Sequence, residues 1–299
     1  MSHAISHASS FAPEKATRVV MLGTGTPRPD PRRSGPATAI VVNDTPYLID
    51  FGPGVIRRAT AAYEKGVMAL GFGGVNIRTA FLTHMHSDHT IGYPDLIFTP
   101  WVMGRKEPLE VYGPKGIKPM TEHILKAWQV DIDGRVNGLN RHNSTGCKVN
   151  AREIAPGVVF QDRNVTVTAF PVRHEEMVDS FGYRFETPDR TIVISGDTAP
   201  TQAIIDYSRG CDVLIHEAYS MATYDKVSSR SQEFRRSHHT SSIELAKIAS
   251  AATPALLVIY HRSNAGGGPV SSDSEDVLLD EIRRDYSGPV VAAHDLDVF

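Results

Sequence analysis

Cysteine is almost missing from this chain: Cys147 and Cys211 are the two among 299 residues. Two distant thiols in no metal-type spacing exclude a disulfide framework and a cysteine metal site. Both are expected to be reduced, with Cys211 in the core beside the apolar run Val213–Ile215. Long apolar runs are absent as well, which excludes a membrane-spanning helix. The Ser-, His- and Ala-rich stretch 1–17 lacks the apolar centre of a signal peptide and reads as a flexible tail on a cytoplasmic protein. Neither sign of charge is in excess: 31 basic against 34 acidic residues give a net charge of -3. Bulk charge therefore attracts neither nucleic acid nor a membrane surface, and only a local basic groove is left open. The glycine-rich loop Gly23–Pro31 follows a strand but carries no Gly-Lys-Ser/Thr and opens no helix, so the nucleotide-loop reading fails.

At 41% hydrophobic, the chain has enough apolar residues for one large α/β domain, expected over 18–299. Strands are expected at 18–22, 37–42, 47–50, 109–112, 158–160, 165–170, 181–186, 191–194, 212–215 and 255–260, with a hairpin around Asn43-Asp44. Helices are expected at 55–64, 117–130, 243–251 and 273–284, and one beginning over 93–98; Glu244 is placed to complete a capping box. The Asp-, Gly-, Asn- and Ser-rich segment 131–147 reads as a long loop, and 289–299 as one or two closing strands.

The informative stretch is Phe81-Leu-Thr-His-Met-His-Ser-Asp-His-Thr90, which sets three histidines and a carboxylate within six residues behind an apolar run. Residues two apart on extended backbone project to one side, so His84 and His86 can grip one metal. Ser87 and Asp88 suit a turn into a helix, which swings Asp88 and His89 toward a second position. Elsewhere, apolar strands end in metal-competent residues at His174, Asp197 and His261. A carboxylate emerging from a buried strand must be paired, hydrogen-bonded or metal-bound, which makes Asp197 a candidate bridge. Ligands at the edges of a rigid sheet need little reordering when a metal binds.

This series, His84-x-His86-x-Asp88-His89, then His174, Ser-Gly-Asp197-Thr and Tyr-His261, resembles the motifs of the metallo-β-lactamase superfamily. Met21-Leu-Gly-Thr-Gly, Val111-Tyr-Gly-Pro-Lys-Gly, Phe181-Gly-Tyr-Arg184, His216-Glu217-Ala and His239-Thr-Ser resemble its ribonuclease Z and arylsulfatase-like branch. The resemblance implies an αββα four-layer sandwich and two divalent metals, usually Zn, with Mn or Fe compatible with the same ligands. It implies His84, His86 and His174 on one metal, Asp88, His89 and His261 on the other, and Asp197 on both. A metal-held hydroxide is then the nucleophile, oriented by Asp88. Glu217 and His239 resemble the branch's Glu-His pair, whose imidazole protonates a leaving oxygen; His238 is a rival, and His216 is expected to be structural or to support a metal ligand from behind. Arg173, Arg184 and Lys115 are weaker candidates for holding an anionic substrate. Homodimerisation is also implied, with the apolar segments around Trp101 as a candidate face, and aromatics there are a candidate pocket wall.

Substrate size is read from one departure. Ribonuclease Z carries a long arm that clamps tRNA between its Gly-Tyr-Arg and Ser-Gly-Asp strands, whereas Arg184 and Ser195 are joined here by residues 185–194 alone. The expectation is a hydrolase of a small phosphodiester, aryl sulfate or related ester, with nucleic acid disfavoured as a partner. A tRNA endonuclease without the arm, or a lactonase or β-lactamase-like hydrolase, is the alternative.

Overall fold

A computed structural model describes residues 17–263 and 272–299. The tail expected over 1–17 lies outside the described residues except for Thr17, which opens the first strand rather than ending a tail. The first sheet runs in chain order: β1 (Thr17–Gly23), β2 (Ala37–Val42), β3 (Thr45–Ile49), β4 (Thr79–Phe81), β5 (Leu109–Gly113) and β6 (Val149–Glu153). The second sheet begins with an antiparallel meander of β7 (Gly157–Gln161), β8 (Thr166–Pro171), β9 (Phe181–Glu186) and β10 (Thr191–Ile194). It continues with the parallel strands β11 (Val213–Tyr219), β12 (Leu256–Ser263) and β13 (Val290–Ala292).

Strand period decides which core each side chain enters. In β1, Val19 and Met21 join the apolar layer between the sheets, while Val20 and Leu22 face the helices outside. In β12, Val258 and Tyr260 point inward between the sheets, and Leu257 and Ile259 point outward. Strands covered on both faces carry apolar residues at every position, which is why they read as continuous runs. The outer face of the first sheet packs against α1 (Val55–Glu64), α3 (Tyr93–Val102) and α4 (Ile117–Ala127), with α2 (Ser87–Thr90) between α1 and α3 in sequence and α5 (Gln129–Asn137) following α4. The outer face of the second packs against α6 (Gln202–Ser208), α8 (Ser242–Ala252) and α9 (Ser272–Arg283), with α7 (Ser229–His238) leading into α8. The result is the expected αββα four-layer sandwich in a single domain.

Local chemistry explains the joints. Asn43 and Asp44 both take positive φ, 46° and 62°, which closes the β2–β3 hairpin with a turn matched to strand twist. Ser241 Oγ accepts from Glu244 N at 3.2 Å and Glu244 Oε2 accepts from Ser241 N at 3.1 Å, so the expected capping box starts α8. Val19 N donates to Phe299 O at 2.9 Å, tying the end of the chain back to β1.

Two expectations are corrected. The helix expected to 130 ends at Ala127, and the loop expected over 131–147 holds most of α5. No residue of α5 is buried, so it carries no apolar stripe for a sequence reading to find. It is supported instead by Arg135 on Asp131 at 2.9 Å and Gln129 on Asp133 at 2.9 Å, four residues apart. Trp101 is fully buried and donates its Nε1–H to Asn143 O at 2.7 Å, so it belongs to the core and is not a pocket wall. Among the described residues no helix is long and apolar enough to cross a membrane.

Candidate metal centre

All seven expected ligands sit at one edge of the sandwich, delivered by strand ends. The chain leaves β4 at Leu82, whose N–H donates to Tyr112 O at 2.8 Å. Thr83 is then fixed by Asp50, which accepts from Thr83 N at 2.8 Å and Thr83 Oγ1 at 3.0 Å. His84 and His86 follow on extended backbone, and α2 carries Asp88 and His89 in its first turn. His174 lies just beyond β8 and Asp197 just beyond β10. Gly196 precedes Asp197 at φ 63°, and a Cβ there would meet Thr83 Cβ at 2.9 Å, so glycine is required at this crossing between the sheets. His261 is a bulge residue: in the β11–β12 pairing Glu217 faces Tyr260 and Ala218 faces Arg262, leaving His261 unpaired at φ 42°. A bulge of this kind re-aims one side chain out of the strand's alternation.

The first triad is formed by three imidazoles. His84 Nε2 and His174 Nε2 each lie 3.0 Å from His86 Nδ1. The opposite nitrogens set the tautomers. His174 Nδ1–H donates to the His238 carbonyl at 2.8 Å. His84 Nδ1–H donates at 3.0 Å to Thr83 Oγ1, whose own proton goes to Asp50. Both Nε2 atoms therefore present lone pairs. Burial lowers the pKa of His84 and His86 and brings His174 down to about 4, so all three are neutral near pH 7, the protonation state a metal requires.

The second group pairs carboxylates with imidazoles. His261 Nε2 lies 3.2 Å from Asp88 Oδ2 and 3.4 Å from Asp197 Oδ2. His89 Nε2 lies 3.6 Å from Asp88 Oδ2 and 3.5 Å from Asp197 Oδ1. Asp197 also reaches His84 Nε2 at 4.0 Å, which puts it between the two groups. Burial alone would raise both carboxyls, yet the surrounding imidazoles hold Asp88 low and Asp197 well below the usual range. Burial would likewise lower His89 and His261, and the carboxylates raise both instead. His89 Nε2 and Asp197 Oδ1 are buried with no hydrogen-bond partner. With His89 Nδ1 on Asp50, its Nε2 and the Asp197 oxygen 3.5 Å away can both offer lone pairs, which fits a divalent cation, and His with Asp is a zinc donor set. His84, His86 and His174 fit one ion, and Asp88, His89 and His261 the other, with Asp197 within reach of both.

Asp50 is a site residue that the sequence reading passed over. Its Oδ2 accepts from His89 Nδ1 at 2.8 Å, which turns His89 Nε2 toward the cluster. The signal was available: Asp50 is a carboxylate directly after a buried strand, Tyr47-Leu-Ile, the criterion that singled out Asp197. Glu217 is fully buried and its Oε1 accepts from Thr198 N at 3.1 Å, Thr240 N at 3.3 Å and His239 Nδ1 at 3.0 Å. His239 in turn stands 4.0 Å from Asp197. Burial pushes His239 down, but the charge of Glu217, its hydrogen bond and Asp197 outweigh this and raise the pKa to about 9. His238 is turned elsewhere, with Nε2 on Glu176 at 2.6 Å and Nδ1 on Phe234 O at 2.9 Å. His216 is buried with Nδ1 on the Glu217 carbonyl at 2.7 Å, an internal position.

A cavity of about 580 Å³ opens over His86, Asp197, His239 and His261. Its wall holds Arg28, Arg32, Arg33, Arg235 and Arg262 together with Asp30; Arg32 pairs with Asp30 at 3.2 Å, and Arg33 and Arg262 pair with Glu275 at 3.7 Å and 2.6 Å, so carboxylates offset part of the basic charge there. Arg173, Arg184 and Lys115 do not line it; Arg184 donates to Tyr207 O at 2.7 Å and pairs with Glu186 at 3.2 Å. Three of the five arginines come from Pro27-Arg-Pro-Asp-Pro-Arg-Arg33, whose charge was legible but whose approach to the metal ligands depends on the fold.

This fold with this donor set defines a metal-dependent hydrolase of the metallo-β-lactamase class. Residues 45–262 match the family model of the beta-lactamase superfamily domain. The chain belongs to that superfamily, in its ribonuclease Z branch. It is similar to ribonuclease Z of Mycobacterium bovis, 29% identical over 93% of this chain and 96% of that one. With ribonuclease Z of Mycobacterium sp. strain KMS it shares 31% identity over 81% of this chain and 83% of that one. Among solved structures, the metallo-beta-lactamase fold protein YhfI of Bacillus subtilis matches with a TM-score of 0.71 at 18% identity, over 95% of this chain and 98% of that one.

Proposed function

We propose that this chain is a phosphodiesterase working through two divalent metals, most readily Zn, with RNA as its leading substrate class. His84, His86 and His174 would hold one ion, Asp88, His89 and His261 the other, and Asp197 both. Such ions, when bound, lower the pKa of water and polarise the phosphoryl oxygens. Asp88 would also orient the attacking water. His239 would give its proton to the leaving oxygen, and Glu217 keeps that proton in place near neutral pH. The observation that carries the reading is this pair: a buried carboxylate 3.0 Å from an imidazole that borders the metal ligands. A proton donor there serves a poor oxyanion leaving group, as in a phosphodiester, better than it serves a lactam or lactone. The arginine-rich wall suits an anionic substrate.

RNA leads because relatives named ribonuclease Z match this chain almost end to end. A relative covered over 96% of its length leaves little room for a long arm beyond what this chain has, so the short β9–β10 connection does not by itself remove RNA. A second reading, a small phosphodiester or aryl sulfate, is favoured by that same connection, a tight turn in which Thr187 N donates to Arg190 O at 2.9 Å. The two are separated by giving zinc-loaded protein a precursor tRNA with a 3′ trailer and, separately, bis(p-nitrophenyl) phosphate. Cleavage of the precursor that is lost in His239→Ala supports the first reading. Turnover of the small ester alone, with no tRNA shift at low salt, supports the second, and inactivity on both with metal present overturns the phosphodiesterase proposal.

A further inference from the structure

The helix α7 reads Ser-Arg-Ser-Gln-Glu-Phe-Arg-Arg-Ser-His, and Phe234 is its one apolar side chain. A single apolar residue on a polar helix ordinarily tucks into the core, or else lies on open surface and means nothing. Phe234 does neither: it is 50% exposed and lines the cavity over the metal ligands. Its ring is also held. It stacks on the His238 imidazole with centroids 4.0 Å apart and planes at 21°. His238 is anchored through Nε2 to Glu176 at 2.6 Å and through Nδ1 to the Phe234 carbonyl at 2.9 Å. The backbone carbonyl of the same His238 accepts from His174 Nδ1. One residue therefore fixes both a metal-facing imidazole and the support beneath the phenyl ring, which places the ring in register with the metal centre. The ring centroid lies 5.9 Å from that of His239.

We propose that Phe234 is a specificity-determining platform that stacks an aromatic ring, a nucleobase or an aryl group, carried by the substrate beside its reacting phosphoester. The inference rests on the phosphodiesterase reading for the nature of the anion, and on the geometry of α7 for the ring. Stacking on an aromatic side chain accepts any flat ring, so the platform selects for ring-bearing esters over purely aliphatic ones without selecting a base.

The test is calorimetric binding of adenosine 5′-monophosphate, phenyl phosphate and ribose 5-phosphate to the zinc-loaded protein, its Phe234→Ala variant and its Phe234→Trp variant. In the parent protein adenosine 5′-monophosphate binds about tenfold more tightly than ribose 5-phosphate, Phe234→Ala reduces that advantage to about threefold or less, and Phe234→Trp restores it. Phenyl phosphate sharing the advantage identifies the ring alone as what is recognised; adenosine 5′-monophosphate alone showing it identifies a nucleobase. Equal binding of the nucleotide and ribose 5-phosphate in the parent, or an unchanged ratio in Phe234→Ala, overturns the platform. Hydrolysis is scored separately: ring preference without phosphodiester turnover would sink the proposed activity and leave the platform, and turnover without ring preference would do the reverse.

Discussion

His239 carries its proton because of where Glu217 sits. The carboxylate is buried, and backbone N–H groups of Thr198 and Thr240 aim the oxygen that accepts from the imidazole. Removing the imidazole should therefore act selectively. His239→Ala is expected to lower kcat on an unactivated phosphodiester about 100-fold or more, the scale of general acid catalysis, while leaving turnover of a p-nitrophenyl ester nearly untouched. Glu217→Gln should change activity in the same direction by less, and equal losses on both substrates would show that His239 acts otherwise. Asp50 makes a different prediction. It sits at φ 58°, a conformation that asparagine tolerates, so Asp50→Asn keeps the backbone and removes the charge that orients His89. Zinc affinity is expected to fall about 10–100-fold, measured by competition with a chromophoric chelator. An unchanged affinity would reduce Asp50 to a bond that merely holds Thr83.

At the scale of the element, the helix α3 shows how a sequence irregularity is absorbed. Pro100 has no N–H, so the carbonyl of Leu96 loses its donor one turn back. The buried guanidinium of Arg105 supplies it: Nη1 donates to Leu96 O at 3.1 Å, and Nη2 to Ile97 O at 2.7 Å and Gly146 O at 3.0 Å. Burial brings Arg105 down to about 10, still charged at neutral pH. Arg105→Met is expected to destabilise the protein by about 3 kcal/mol through the unsatisfied carbonyls, read by urea unfolding, with zinc content unchanged. That role was not legible from the sequence, where Arg105 looks like a surface charge. The strands that deliver the ligands were legible because they are apolar on both faces, and β2, β9 and β10 have their expected bounds. The edge strand β6 and the polar helix α7 were not, since Val-Asn-Ala-Arg-Glu and Ser-Arg-Ser-Gln-Glu carry no apolar period, and α6 has only seven residues in which to show one. Phe234 was missed for the same reason: only the folded position of α7 brings it to the cavity.

For the whole molecule, the proposed ligand set divides between the two sheets. His84, His86, Asp88 and His89 follow β4 of the first sheet, and His174, Asp197 and His261 come from β8, β10 and β12 of the second. Each group of donors draws on both sides: His84 and His86 meet His174, and Asp88 and His89 meet His261. Between the sheets lies an apolar layer, crossed at this edge by hydrogen bonds from Phe181 N to Thr83 O at 2.9 Å and from Tyr183 Oη to Leu82 O at 2.6 Å, and bound metals would add to these where the buried carboxylates and imidazoles face one another. Binding to the folded state alone stabilises it by about 4 kcal/mol per site at a thousandfold excess over the dissociation constant. In a domain of this size that corresponds to a rise of roughly 10 °C in the unfolding midpoint for each site filled. Stripping metal with a chelator is therefore expected to lower the midpoint by at least that amount, and zinc to restore it. The dependence should need ligands from both sheets. His174→Ala and Asp88→Ala, one from each side, should each remove part of the zinc-dependent gain, and their effects on it should not simply add, because Asp197 stands between the two groups. A midpoint indifferent to chelation would mean that the apolar layer and the hydrogen bonds across it hold the sandwich together at this edge.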